Sequence, residues 1–275
     1  MKKIFRNSIN SNMLKTIALI AMVIDHIGFY FSESLNPNLV TIFRYIGRIA
    51  MPIFLYLLVQ GFFYTKNFKK YLTRISVFAI ITQILVTILM IINKRFYPEY
   101  ISPRQVYSTG NILFSFALSL LLMKVLHEKV LIKKWNYVKN ISLKVVLLSL
   151  ICIISMILPL DYGIEALILS GLIYYIEKFR IELYIDRTNN KQKISNMVLS
   201  SVSDSKIELV YILLILFVLL LTCLYFNTCI TILLSIIPIA LYNGERGKCN
   251  KFVKYIYYIF FPLQHIILYM LGMLT

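Results

Sequence analysis

The sequence predicts an all-α fold: a polytopic bundle of about nine transmembrane helices. Three observations lead there. Of 275 residues, 59% are hydrophobic and only 15% are charged, with a mean hydropathy of +0.77. A soluble domain carries about a quarter of its residues as Asp, Glu, Lys and Arg, so it could not bury this much Ile, Leu, Phe and Tyr. The third observation is the placement of charge. The balance of 29 basic against 12 acidic residues gives +17, but the basic residues collect in short clusters between apolar runs. That pattern argues against a nucleic-acid partner, and the composition excludes a soluble enzyme, a disordered tail and a disulfide scaffold.

The runs of spanning length lie at 14–31, 40–64, 71–92, 110–126, 143–158, 163–179, 207–226, 228–242 and 252–274. Turn residues separate them: Asn36-Pro37, Pro98, Pro103, the stretch from Pro159 to Gly163, and Asn243-Gly244. The basic N-terminus resembles the start of a signal peptide. The apolar stretch behind it is long enough to span and has no small-residue cleavage site, so it reads as an uncleaved first helix. Pro52, Pro238 and Pro262 fall inside runs and are expected to kink them.

Charge then orients the threading. With the N-terminus in the cytoplasm, 24 of the 29 basic residues fall on the cytoplasmic side, and only Lys94, Arg95 and Arg104 fall outside. Arg44 and Arg48 lie within the second span. The positive-inside rule therefore puts the N-terminus inside and the C-terminus outside. The whole of 1–275 reads as a single integral-membrane domain, with a polar, flexible cytoplasmic loop at about 180–206. The four Cys show no Cys/His spacing, so neither a metal site nor a disulfide is expected.

Ionisable residues inside spans are costly, and they are the first candidates for function. Asp25 and His26 adjoin each other in the first span. Neighbouring helical residues point about 100° apart, so Asp25 is expected to pair with Arg44 or Arg48 and to leave His26 as a base. The two arginines are four apart, on one face, and demand anions because Arg does not deprotonate. Asp25 supplies one anion; a substrate oxyanion or carboxylate is expected to supply the other. His265 lies mid-span, one turn past Pro262. At about 1.5 Å per residue, Asp25 and His26 are roughly 8–9 Å from the outer end, Arg44 and Arg48 about 6 and 12 Å, and His265 about 14 Å. Asn111 and Asp161 lie at or near the same side. On the opposite side, the turn containing Asn243, Gly244, Arg246 and Lys248 offers backbone N–H groups and cations for phosphates. Gln60 and Gln83, alone in apolar spans, read as interhelical hydrogen-bonding residues.

These residues resemble the TraX family of integral-membrane acetyltransferases, named for the protein that N-acetylates conjugative pilin. The likeness runs from Leu14-Lys15 through Asp25-His26-Ile27-Gly28, then through the stretch from Arg44 to Phe54 with its Arg-x-x-x-Arg-x-x-x-Pro element. It continues with Gln60-Gly61-Phe62, Asn111 to Ser115, Asp161-Tyr162-Gly163, Tyr242-Asn243-Gly244 and Tyr258 to His265. The resemblance implies acetyl transfer from cytosolic acetyl-CoA to an acceptor at the outer face, such as a peptide N-terminal amine. On this reading His26 takes the acceptor's proton, Arg48 or Asn111 supports the oxyanion, and Asp25 holds an Arg or positions the acceptor's ammonium. Arg246 and Lys248 meet the CoA phosphates, and His265 is the rival base or an acetyl carrier. No metal is expected. The alternatives are an envelope polysaccharide O-acetyltransferase, a proton-coupled transporter and an assembly subunit. The expected partners are the lipid bilayer, acetyl-CoA, and a secreted peptide, pilin or envelope glycan as acceptor. A Lys-, Ile- and Asn-rich composition suggests an AT-rich bacterial genome, and hence a bacterial inner or plasma membrane.

Overall fold

In the computed structural model, the described residues are 9–96, 111–158, 160–188, 205–226, 230–245, 247 and 251–272. They form an all-α polytopic membrane protein. In order, the helices are α1 (Ser11–Tyr30), α2 (Pro37–Gly47), α3 (Ala50–Tyr64), α4 (Phe68–Phe96) and α5 (Ile112–His127). They continue with α6 (Tyr137–Ile157), α7 (Gly163–Thr188), α8 (Ser205–Phe226), a 3-10 segment (Ile230–Ser235), α9 (Ile236–Ala240) and α10 (Lys251–Gly272).

Five stretches are long and apolar enough to cross a membrane by length and composition: Ser11–Tyr30, Pro37–Tyr64, Phe68–Leu89, Tyr137–Ile157 and Lys206–Phe226. Three shorter apolar helices, Ile112–His127, Ile230–Ala240 and Ile256–Gly272, accompany them. Large apolar side chains such as Tyr225 (81% exposed) and Ile157 (73%) stand on the outer surface, as lipid-facing residues do. The eighth expected span is short. Its six 3-10 residues and five α residues give about 20 Å of rise against a hydrocarbon core of about 30 Å.

Asparagine starts five of these helices. Asn10, Asn36, Asn67, Asn111 and Asn136 each accept hydrogen bonds from backbone N–H groups in the first turn. This satisfies donors that a helix start otherwise leaves unpaired. At Asn36 the cap is followed by Pro37, which has no N–H to satisfy.

Two expectations are corrected. The second span is not continuous, since α2 ends at Gly47 and α3 begins at Ala50. Pro52 is thus in the first turn of α3, where its missing N–H removes no intrahelical bond. The expected loop at about 180–206 is helical through Thr188, because α7 runs on past Arg180; residues 189–204 lie outside the described set.

The chain divides into two compact units. The first comprises Met1–Gln60, Leu172–Ile256 and Leu271–Thr275; the second comprises Gly61–Gly171 and Tyr257–Met270. The sequence had suggested one domain. In the first unit, the segment before α1 bridges to the segment after α9. Ile9 pairs with Tyr242, Asn243 N–H donates to Ile9 O at 2.9 Å, and Ser11 N–H donates to Glu245 O at 2.8 Å. In the second unit, Leu122, Ile151 and Leu167 form an apolar cluster of α5, α6 and α7.

Candidate functional site

The α1/α2 hairpin builds the site. Gly28 and Gly47 let its two helices approach closely. A Cβ on Gly28 would meet Phe43 Cβ at 3.0 Å, and one on Gly47 would meet Asp25 Cβ at 2.1 Å. The approach delivers Arg44 to Asp25. Arg44 Nη1 donates to Asp25 Oδ2 at 2.9 Å and reaches the Asp25 carbonyl at 3.4 Å, with its guanidinium 5.7 Å from the Phe29 ring. The pairing expected from sequence is therefore made, and made by Arg44. The other carboxylate oxygen, Oδ1, is buried without a hydrogen-bond partner among the described residues.

Arg48 follows Arg44 by one turn, at the very end of α2. It caps the C-terminus of α2 at the break before α3, with its N–H on Arg44 O. Its side chain is half-buried, and its charge acts on Asp25. His26 is half-buried on α1, with the Tyr30 ring edge-on at 6.5 Å.

Asn111, Asp161 and His265 belong to the second unit. Asn111 is spent on structure. Its Oδ1 accepts from Leu113 N–H, and its Nδ2 donates to Ala79 O at 2.9 Å and to Gln83 Oε1 at 3.1 Å. Both amide hydrogens are thus engaged, which leaves no donor for the oxyanion role expected of it. The same bonds bear out the interhelical reading of Gln83. Asp161 has an exposed side chain in the turn before α7. Its carbonyl accepts from Ser115 Oγ at 2.6 Å, and the next residue, Tyr162, has φ +56°. His265 packs edge-on to Phe261 at 5.7 Å.

The turn after α9 is in the first unit. Gly244 and Gly247 take φ of 78° and 74°, which only glycine adopts readily. Two of its amides are already used, Asn243 N–H on Ile9 O and Glu245 N–H on Asn243 Oδ1. Phosphate binding there would rest on Arg246 and Lys248, which lie outside the described residues.

A family model described as TraX protein matches residues 10–272. The chain belongs to the TraX family. A protein of Dichelobacter nodosus named "Probable fimbrial assembly protein FimC, serogroup H1" is 30% identical over 175 residues, covering 60% of this chain and 62% of that protein. An uncharacterized protein of Rickettsia prowazekii (strain Madrid E) is 49% identical over 78 residues, or 28% of this chain and 27% of its own. This TraX-family chain therefore spans less than two thirds of either relative. No solved structure matches it.

Sequence reasoning missed a second polar cluster in the first unit of this TraX-family chain. Glu177 and Arg180 on α7 are both buried, and Arg180 Nη2 donates to Glu177 Oε1 at 2.6 Å. Arg180 Nη1 lies 3.6 Å from Glu208 Oε1 on α8, and its guanidinium stacks 4.2 Å from the Tyr211 ring centroid. Tyr211 donates to Glu177 Oε2 at 2.7 Å. Arg180 is therefore a buried partner of two carboxylates and not the exposed cytoplasmic anchor that its position suggested. The available signal was the Glu-x-x-Arg spacing on one helical face, opposite Glu208 and Tyr211 three apart on another.

Proposed function

We propose that the chain is an acetyltransferase of the bacterial plasma membrane, moving acetyl from cytosolic acetyl-CoA to the N-terminal amine of a secreted, pilin-like peptide. The observation that carries this reading is the Asp25–Arg44 pair on the α1/α2 hairpin. One carboxylate oxygen is held by Arg44 and the other, Oδ1, has no partner among the described residues, with His26 the next residue. An ion pair within apolar helices costs desolvation that an apolar pair avoids, and a functional role accounts for its presence. The name of the Dichelobacter relative adds support for a pilin-like acceptor.

In the reaction, Asp25 Oδ1 accepts a hydrogen bond from the acceptor's amine, and His26 removes its proton as nitrogen attacks the thioester carbonyl. The charge of Arg48 stabilises the tetrahedral oxyanion. The attack forms the C–N bond; collapse of the tetrahedral species re-forms the carbonyl and breaks the C–S bond, and the proton on His26 passes to the departing CoA thiolate. Arg44 holds Asp25 in position through its 2.9 Å contact.

The test is transfer of labelled acetyl from acetyl-CoA by the purified full chain in detergent. A pilin-like peptide with a free amine and an envelope glycan serve as competing acceptors. His26→Ala is expected to lose at least 100-fold in kcat, the lower end of general-base contributions, while His265→Ala keeps activity. Loss with His265→Ala and retention with His26→Ala would reverse the assignment, and label on the glycan alone would replace the acceptor.

The same relative's name favours a second reading, a non-catalytic role in fimbrial assembly. On that reading, joint substitution of Asp25, His26 and Arg48 leaves assembly intact.

A further inference from the structure

The buried Glu177–Arg180–Tyr211 cluster, with Gln60 beside it, holds two polar atoms that no described residue satisfies. Tyr211 gives its hydroxyl hydrogen to Glu177, so its oxygen is left as an acceptor. Tyr56 Oη lies 3.4 Å from that oxygen and Gln60 Nε2 lies 3.5 Å from it. Gln60 is therefore held by one end of its amide, and its Oε1 has no partner. Arg180 uses both terminal nitrogens on Glu177 and Glu208, while its Nε has no partner. Gln60 is 3% exposed and Arg180 is 4% exposed, so bulk water does not complete either group. Buried polar atoms left in this way are uncommon in folded proteins and point to a missing partner.

The two open positions have opposite character. Gln60 Oε1 is an acceptor, and Arg180 Nε–H is a donor. The two side chains share Tyr211 as a neighbour, Gln60 through its Nε2 at the hydroxyl and Arg180 through its guanidinium at the ring face. A phosphate offers only acceptors and an ammonium only donors. A secondary amide presents both, its N–H to Gln60 and its carbonyl to Arg180. The cluster is also joined to the turn after α9, since the Tyr56 ring packs edge-on to Tyr242 at 5.9 Å and Tyr242 opens the Asn243-Gly244 turn.

We propose that Gln60 and Arg180 form a recognition site for a secondary amide, that of the pantetheine arm of the acyl-CoA donor. Tyr211 aligns the two groups, and Glu177 and Glu208 fix the guanidinium. This rests on the donor reading given above. It assigns a task to Gln60, Glu177, Arg180, Glu208 and Tyr211, none of which enters the transfer step.

The test compares binding of acetyl-CoA with that of adenosine 3′,5′-bisphosphate, the nucleotide part without the arm, to the full chain in detergent. Gln60→Met removes the amide at similar length. It is expected to weaken acetyl-CoA binding about tenfold, the loss that about 1.4 kcal/mol of hydrogen bonding produces, and to leave the bisphosphate unchanged. Equal affinity of wild type and Gln60→Met for acetyl-CoA overturns the proposal, leaves the donor reading standing and assigns the open atoms to a structural water. Absence of acetyl-CoA binding by the wild type removes the donor reading and this inference together. Should Gln60→Met fail to fold, the wild-type chain is titrated with two acetyl-CoA analogues, each having one arm amide replaced by an ester. One analogue is expected to bind about tenfold more weakly, and parity of both with acetyl-CoA overturns the site.

Discussion

Gly47→Ala introduces a methyl group where Asp25 already stands. The added Cβ would lie 2.1 Å from Asp25 Cβ and 2.4 Å from its Oδ1. Carbon atoms pack at about 3.5 Å, so α1 and α2 must part locally by roughly 1.4 Å. That displacement carries the 2.9 Å Arg44–Asp25 contact beyond the usual limit of about 3.2 Å for such a bond. Overpacking strain costs about 1–3 kcal/mol, and a lost hydrogen bond to a charged group costs about 1.5–3 kcal/mol. Against this, alanine gains about 0.5–1 kcal/mol over glycine in a helix. The net expectation is a loss of about 3 kcal/mol, which at 2–4 °C per kcal/mol lowers Tm by roughly 6–12 °C. Thermal unfolding in detergent measures it, with Gly171→Ala as the comparison. There the new Cβ meets only Leu122 Cδ2 at 3.3 Å, the end of a flexible side chain, and Tm is expected to hold or rise slightly. A Gly47→Ala protein that melts at or above the wild-type temperature would refute the close approach and the positioning of Asp25 argued from it.

Three further outcomes are expected. In a double-mutant cycle of Asp25→Asn and Arg44→Gln, the unfolding free energies should show coupling of about 1–3 kcal/mol, because the two side chains are in contact. Additive effects would mean that the pair contributes no mutual stabilisation. Asn140→Ala removes a side chain that accepts from Leu131 and Ile132 N–H and donates to the Ile132, Trp135 and Asn136 carbonyls. Tryptic cleavage at Lys133 and Lys134 should accelerate severalfold, and an unchanged rate would mean the loop has other support. Last, the hydrogen bond and charge of Lys124 hold the Glu128 carboxyl below its usual range. Its stabilisation is present above the unfolded value of about 4.3 and is lost as pH falls through the lower folded value. Both partners are 40% exposed, so this pair should shift stability by no more than about 0.5 kcal/mol. Lys124→Met should therefore leave Tm nearly unchanged at pH 7, with the small difference from wild type vanishing near pH 3.

Much of the helical framework was legible because apolar runs of membrane length have few other uses. The pairing of Asp25 with Arg44 or Arg48 was legible because a carboxylate and a guanidinium in adjacent apolar helices have few other partners, and the structure selects Arg44. The break at Arg48 and Ile49 was not, since α2 and α3 are both apolar and Pro52 drew attention to the wrong residue. Arg180 was misread for a related reason. A basic residue following an apolar run has the same composition whether it is solvated or buried between Glu177 and Glu208. Only the approach of α8 to α7 tells the two apart. Asn111 illustrates the converse, a polar residue at the expected depth whose donors turn out to serve α4 and whose Oδ1 accepts from its own helix.

The Ile9–Tyr242 bridge sets a timetable for assembly. At roughly 5–20 residues per second, ribosomes need on the order of 10–50 s to travel from the first of these residues to the second. Throughout that interval α1 must remain in place without its final anchor. The partner that arrives early is Arg44, which follows Asp25 by 19 residues, so the first hairpin can enter lipid with its opposite charges already cancelled. The pair thereby gives the nascent chain a self-sufficient first module, and the bridge closes over it only after α9 has been made.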